Sequence, residues 1–276
     1  MGNYKMEKPN RSQGRILALD TSSAAQAVAV LDEANVLIES NNLAERNHSV
    51  NLLPEIERAL HDSGTNKRDL AAIAVGVGPG SYTGVRIAVT TTKTLAWALK
   101  LPVVAVSSLE AQAASGLEIA ALRGKTWIIP LVDARRGQAY TALFEAKAPG
   151  EKKSDSDRSE DGFSMQRLAD DAILLTSEWT AKLAERFNAL VPSERPDHIL
   201  FTGETVKHAE TVLAIAELAG VSAEQVKLQD CVTEARWIGR IGQRKLAAGD
   251  TTEAHSLLPN YTQVTEAEAN LLRNSQ

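Results

Sequence analysis

Short apolar runs separated by turn-forming residues dominate the first third of the chain. Ile16–Leu19 ends in Asp20-Thr21-Ser22-Ser23, Ala27–Leu31 ends in Asp32-Glu33-Ala34-Asn35, and Val36–Glu39 follows. Three such runs joined by tight polar turns predict an antiparallel meander. The period then changes. Between His48 and Asp62 the apolar residues Leu52, Leu53, Ile56, Ala59 and Leu60 fall at helical spacing, which predicts a helix. Asn47 suits its N-cap and Gly64 its end, while Pro54 marks either the first turn of a shorter helix or a kink in a longer one.

Ala71–Val77 is a compact apolar run and predicts a buried strand. After the glycine-rich turn that follows, Tyr82–Leu99 carries Val85, Val89, Leu95, Ala96 and Leu99 in a long helical pattern. Pro102 punctuates it, Val103–Val106 predicts another strand, and Ser107 or Ser108 caps a helix through Leu109–Ala121. The order β-β-β-α-β-α-β-α describes a mixed sheet, a meander joined to parallel crossovers, and so an α/β protein.

The second half is less regular. Trp127–Val132 and Gln138–Glu145 predict strands on either side of Asp133-Ala134-Arg135-Arg136-Gly137. Residues 147–162 nearly lack large apolar side chains and mix both signs of charge, so burial there cannot offset ordering entropy and a mobile loop is expected. Ala172–Thr176 predicts a short strand, Glu178–Leu190 a helix, His198–Thr202 a strand, and Glu204–Ala219 and Thr233–Ala248 helices closed by Gly220 and Gly249. No internal repeat is legible. The expected division is a flexible extension over 1–14, a first lobe over 15–122, a second, smaller lobe over 123–256, and a tail over 257–276 that packs on the body. The four tryptophans, Trp97, Trp127, Trp179 and Trp237, are scattered and read as core.

Composition narrows the function classes. With 276 residues, 43% of them hydrophobic, the chain can build one large or two modest domains. A net charge of -5 and the lack of a basic run argue against gripping nucleic acid alone, because phosphate contacts supply most non-specific affinity. The single cysteine, Cys231, excludes an intramolecular disulfide and a Cys-rich zinc site and fits a reducing compartment. No apolar run is long enough to cross a bilayer, and the polar N-terminus lacks a signal-peptide core, so the cytoplasm is the expected location.

Gly76–Gly84 is the most distinctive segment. Four glycines and a proline stand between a buried strand and a helix start. Glycine permits positive φ and close approach to a ligand, and a helix N-terminus favours an anion. Gly78, Gly80 and Ser81 could therefore face a phosphate, or could simply turn the chain; the spacing fits neither a Walker loop nor a full dinucleotide fingerprint. Asp20, Thr21 and Ser22 at the end of the first strand could hold a hydrated cation there, or could bond nearby backbone. Asp133, Arg135 and Arg136 read as a solvated turn with local ion pairs.

Taken together, Asp20-Thr21-Ser22, His48-Ser49-x-x-Leu52-Leu53-Pro54, Gly78-Pro79-Gly80-Ser81-Tyr82-Thr83-Gly84-Val85-Arg86, Pro102-x-x-x-Val106-Ser107-Ser108-Leu109 and Asp133-Ala134-Arg135-Arg136-Gly137-Gln138-Ala139-Tyr140 resemble the TsaB (YeaZ) family. This family belongs to the Gcp-like, glycoprotease (peptidase M22-like) superfamily. The resemblance is close over Arg15–Ala146; Phe201-Thr202-Gly203-Glu204 and Leu258-Pro259-x-Tyr261 are consistent with it. It implies an actin/Hsp70-like (ASKHA, ribonuclease H-like) fold of two α/β lobes, the second reduced. It also implies a non-catalytic accessory subunit. Such a subunit binds and activates a TsaD-type catalytic subunit, with a TsaE-type ATPase, in attaching threonylcarbamoyl to adenosine next to the anticodon of tRNAs that read ANN codons. The implied contact is a bundle of the first two helices, for which Leu52, Leu53, Ile56, Leu60, Arg86, Val89, Lys93 and Ala96 are the candidates. The same surface is expected to permit a homodimer when the partner is absent. No intrinsic cofactor is implied. ATP or ADP is expected at or near the partner interface, and tRNA is reached through the complex.

Two positions separate this chain from the catalytic relatives, which carry a His-x-x-x-His metal pair after the strand that follows the Gly-Pro-Gly helix. Here Ser108 and Gln112 stand there, and both are poor transition-metal ligands. No two histidines in the chain have that spacing. The rivals are a glycoprotease-like peptidase and a small-molecule kinase of the same superfamily. His-Glu-x-x-His and Gly-x-Ser-x-Gly are both missing from the sequence, and a phosphate-binding candidate is found in the first lobe alone.

Overall fold

The structure, a computed structural model, describes residues 14–33, 35–43, 48–147 and 164–262, with only the backbone of residues 48–50. All but Gly14 of the expected N-terminal extension, the expected cap Asn47, nearly all of the expected loop over 147–162 and residues 263–276 of the expected tail lie outside the described residues.

The first sheet contains β1 (Arg15–Asp20), β2 (Ala25–Asp32), β3 (Asn35–Leu43), β4 (Leu70–Gly76) and β5 (Val103–Val106) in the order β3-β2-β1-β4-β5. β1 pairs antiparallel with β2 and parallel with β4. Both its faces are covered: Leu17 and Leu19 enter one hydrophobic cluster, Ile16 and Ala18 another. A strand buried on both sides needs no alternation, which is why its sequence is a continuous apolar run. Helices α1 (His48–Asp62) and α2 (Tyr82–Leu99) cover the outer face through Leu52, Ile56, Val85 and Val89.

The second sheet contains β6 (Lys125–Asp133), β7 (Gln138–Lys147), β8 (Ser164–Leu175), β9 (His198–Gly203) and β10 (Val226–Asp230) in the order β10-β9-β6-β7-β8. Read from β8, this is the topology of the first sheet: an antiparallel meander on one side of a central strand and two parallel strands on the other. The fold is therefore duplicated although the sequence repeat is illegible, and the second sheet has as many strands as the first. Its outer face is covered by α4 (Thr176–Ala189), α5 (Ala209–Leu213) and α6 (Ile215–Ala219).

Two helices lie between the sheets. α3 (Ser108–Ala120) presents Leu109, Ala113 and Leu117 to the second sheet and Ala111 and Ala114 towards the first, so it is buried almost all round. α7 (Ala235–Ala247) follows the second sheet in the chain yet packs on β1, β2 and β4 of the first. Its approach is close: a Cβ on Gly239 would lie 2.2 Å from Leu31 and one on Gly242 2.5 Å from Ala74. Side chains of β3 take up the first N–H groups of α7, with Asn41 accepting from Ala235 at 3.0 Å and Glu39 from Arg236 at 2.9 Å.

The structure departs from the sequence expectations at four places. β8 runs over twelve residues instead of the short strand expected, and β10 was not foreseen, because both are partly exposed and mix polar with apolar positions. The helix expected over Glu204–Ala219 is broken into a 3₁₀ turn at Val206–His208, then α5 and α6. Trp97 is not core: it is 79% exposed on α2, whereas Trp127 and Trp237 are buried.

Candidate functional site

The Gly-Pro-Gly turn and the end of β1 form one hydrogen-bonded knot. Asp20 is fully buried and accepts from the Ser22 N–H at 2.7 Å, the Ser22 hydroxyl at 2.8 Å and the Ser108 hydroxyl at 2.5 Å. Thr21 donates to the Gly84 carbonyl at 2.6 Å, and the Ser81 N–H donates to the Ser22 carbonyl at 2.7 Å. Contact this close leaves no space for side chains. A Cβ on Gly76 would stand 1.7 Å from the Asp20 carboxylate, and one on Gly84 1.9 Å from the Thr21 carbonyl.

The six residues expected to face a phosphate are thus brought together, though unequally. Asp20, Thr21, Ser22 and Gly78 are buried, Gly80 is half-buried and Ser81 is exposed. Ser81 caps α2, its hydroxyl accepting from the Gly84 N–H at 3.3 Å. The Asp20 carboxylate is engaged by the turn itself, so an anion or hydrated cation arriving from solvent would meet Gly80 and Ser81 instead.

Ser108 is the residue that closes the knot. Besides donating to Asp20, its hydroxyl accepts from the Gly78 N–H at 3.0 Å, and its own N–H donates to the Gly78 carbonyl at 3.0 Å. Gln112, one turn along α3, is also buried. Among the described residues no group of three or more His, Cys, Asp or Glu is placed to hold a metal ion.

The helix pair splits the expected interface residues into two sets. Leu52, Ile56, Val89 and Ala96 point into their own core, and Leu60 packs against it from a half-buried position. The reason is the amphipathic stripe itself, which the first sheet needs for its own burial. Lys93 is turned aside and donates to the carbonyls of His255 and Leu257, both at 3.0 Å. Leu53 and Arg86 are exposed. The sequence pattern passed over Tyr82, 52% exposed, and Trp97, yet Arg86, Thr90, Lys93 and Trp97 recur at +4, +7 and +11, a spacing that places them on one stripe of α2. Arg86 also donates to the Tyr82 hydroxyl at 2.7 Å, and Tyr82 stacks on Tyr261 with ring centroids 5.7 Å apart. Exposed on the pair are therefore Leu53 on α1 and Tyr82, Arg86 and Trp97 on α2.

Asp133 ends β6 as Asp20 ends β1, but its partners differ. It pairs with Lys207 at 2.7 Å, lies 3.4 Å from the His208 ring and accepts from the Arg135 N–H at 3.1 Å. The Lys207 hydrogen bond holds its carboxyl below the usual carboxylate range, against the opposing effect of burial. The Lys207 ion pair joins Asp133 to a residue 74 positions away instead of staying within the turn, whereas Arg135 and Arg136 are exposed.

A family model described as TsaD, tRNA N6-adenosine threonylcarbamoyltransferase, matches residues 35–270. The chain is 35% identical over 262 residues to the tRNA threonylcarbamoyladenosine biosynthesis protein TsaB of Bacillus subtilis, covering 95% of this chain and 99% of that protein. It is 36% identical over 136 residues to the TsaB protein of Escherichia coli, covering 49% of this chain and 57% of that one. Among solved structures, YeaZ from Pseudomonas aeruginosa superposes with a TM-score of 0.66 and 25% identity, covering 90% of this chain and 99% of that chain.

Proposed function

The chain belongs to the TsaB (YeaZ) family, and on that premise we propose that it acts in tRNA threonylcarbamoyladenosine biosynthesis as the non-catalytic subunit that binds and activates a TsaD-type catalytic subunit. A TsaE-type ATPase completes the assembly, and tRNA is held through the complex.

The observation that carries this reading is the use made of Ser108. A metal-dependent relative needs that helix position free to hold an ion; here its hydroxyl is spent on Asp20 and Gly78, and the knot packs shut around it. What the chain offers outward is a face. Leu53 and Trp97 are large apolar side chains exposed on helices that touch each other, with Tyr82 and Arg86 on the same stripe of α2. Aromatic and arginine side chains of this kind supply much of the energy at protein interfaces. The same face would let two copies of the chain pair when the partner is absent. ATP or ADP, where it binds, sits at the boundary with the partner near Gly80 and Ser81.

The test is a reconstituted transfer reaction containing TsaD, TsaE, tRNA, ATP and threonylcarbamoyl-adenylate, with and without this chain. Modification is expected to depend on the chain and to be lost with L53E and W97E together. Full modification without the chain, and no binding of the chain to TsaD, would overturn the reading.

A further inference from the structure

The side chain of Asp171 on β8 joins three parts of the molecule that are remote in sequence. One carboxylate oxygen accepts from the Ser107 hydroxyl at 2.8 Å and from the Asn260 side-chain amide at 3.0 Å; the other accepts from Arg167 at 2.5 Å. Arg167 in turn reaches Glu110 on α3 at 3.3 Å and lies over the Phe144 ring at 4.5 Å. Ser107 is the N-cap of α3, accepting from the Glu110 N–H at 3.2 Å.

Asn260 carries the link onward. Its backbone N–H donates to the Val77 carbonyl at 2.8 Å, at the entrance to the Gly-Pro-Gly turn. It belongs to a strap over Thr252–Tyr261 that follows α7. Thr252 exchanges two backbone hydrogen bonds with Val103, at 2.7 and 3.1 Å. Leu257 is buried in the α1/α2 core, the carbonyls of His255 and Leu257 accept from Lys93, and Tyr261 stacks on Tyr82. The strap thus runs along α2 from the edge of β5 to the N-terminal end of α2, and Asp171 ties its end to the second lobe.

We infer that Asp171 is a positioning residue. By holding Asn260 and Ser107 together it sets the second lobe against the Gly-Pro-Gly turn, and through the strap it fixes where the outward face of α2 stands. The Asp171 side chain is only 8% exposed, so its carboxylate needs the donors around it. Its three donors come from β8 itself, the cap of α3 and the strap, so one carboxylate joins all three, beside the Arg167–Glu110 pair that links β8 to α3 alone. The effect on partner binding rests on the proposed function above; the effect on the strap does not.

The test uses the full chain, with N260A, D171N and the exchanged pair D171N/N260D, in which the amide at 171 can donate to a carboxylate at 260. Hydrogen exchange is followed in the peptides covering 252–262 and 77–84, with β6 and β9 as internal reference, and affinity for the catalytic subunit is measured on the same samples. N260A is expected to speed exchange in 252–262 at least tenfold, leave the reference strands unchanged, and weaken partner binding several-fold. The exchanged pair is expected to recover a large part of both losses, which a mere gain or loss of side-chain volume would not do. Unchanged strap exchange in N260A would overturn the proposed link. Faster exchange with full partner affinity would overturn the positioning role. No binding by the unaltered chain, with the exchange effects intact, would instead overturn the accessory function on which that role depends.

Discussion

Ser107 and Ser108 are adjacent in the chain, yet their hydroxyls serve opposite halves of the molecule. Ser107 donates to Asp171 of the second sheet at 2.8 Å, and Ser108 donates to Asp20 of the first at 2.5 Å. Successive residues at a helix start point about a third of a turn apart, so a Ser-Ser pair entering a helix between two sheets can address both. The N-terminus of α3 is therefore a pin between the lobes.

The two serines differ in burial, and their removal should differ accordingly. S108A leaves the buried Asp20 carboxylate and the Gly78 N–H each short of a partner and is expected to cost about 1–3 kcal/mol. S107A, at a half-buried cap, is expected to cost about 1 kcal/mol. Urea unfolding of both variants against the parent checks the order.

Leu52 and Leu53 offer a sharper contrast. Leu52 is 1% exposed and Leu53 51%. L52A is expected to destabilise the chain by roughly 2–5 kcal/mol, as a buried leucine does when truncated. L53E is expected to move stability by no more than about 0.5 kcal/mol while weakening capture of the catalytic subunit. Thermal melts and a binding titration on the same preparations separate the two effects.

Acid should weaken the contact between Asp133 and Lys207 in the second lobe. Asp133 has a folded pKa lowered chiefly by its hydrogen bond to Lys207. A depressed carboxylate contributes stability that is fully present above its unfolded value, near 3.8, and is lost as the pH falls through the lower folded value. The stability difference between the parent chain and K207M is therefore expected to be largest at neutral pH and to shrink as the pH drops below about 4. Melting temperatures of both proteins from pH 7 to pH 3 measure it, and a difference that grows in acid would contradict the assignment.

Cys231 should be a poor nucleophile in the native chain. Burial pushes its thiol up to about 12. At pH 8 the thiolate fraction is then on the order of one in ten thousand, far below that of an ordinary cysteine. Alkylation by iodoacetamide, followed by mass spectrometry, is expected to be slow in the folded protein and to go to completion in denaturant.

Much of the first lobe is legible in the sequence because its elements are dictated locally. α1, α2 and β5 occupy the residues that period and punctuation predict, and Ser107 caps α3 as one of the two serines expected there. β8 and β10 escaped because a half-exposed strand carries a weaker pattern than a buried one. Residues such as Arg167 and Asp171, which look like loop composition, are stabilised by partners more than fifty residues away. Trp97 was misplaced for a related reason: hydrophobicity assigns a tryptophan to the core, and only its stripe on α2 shows that it faces outward.

The sequence by itself determined the family resemblance, the α/β order, and the Ser108 and Gln112 positions that separate this chain from a metal-binding relative, since each rests on residue identity and near spacing. The tertiary structure alone decided which side of each helix is committed to the core and which is left exposed. It also decided that Asp20 is consumed by its own turn, that α7 returns to the first sheet, and that a strap joins α2 to the second lobe. Those are outcomes of competition for burial and for hydrogen-bond partners among segments far apart in the chain, and no local pattern records who wins it.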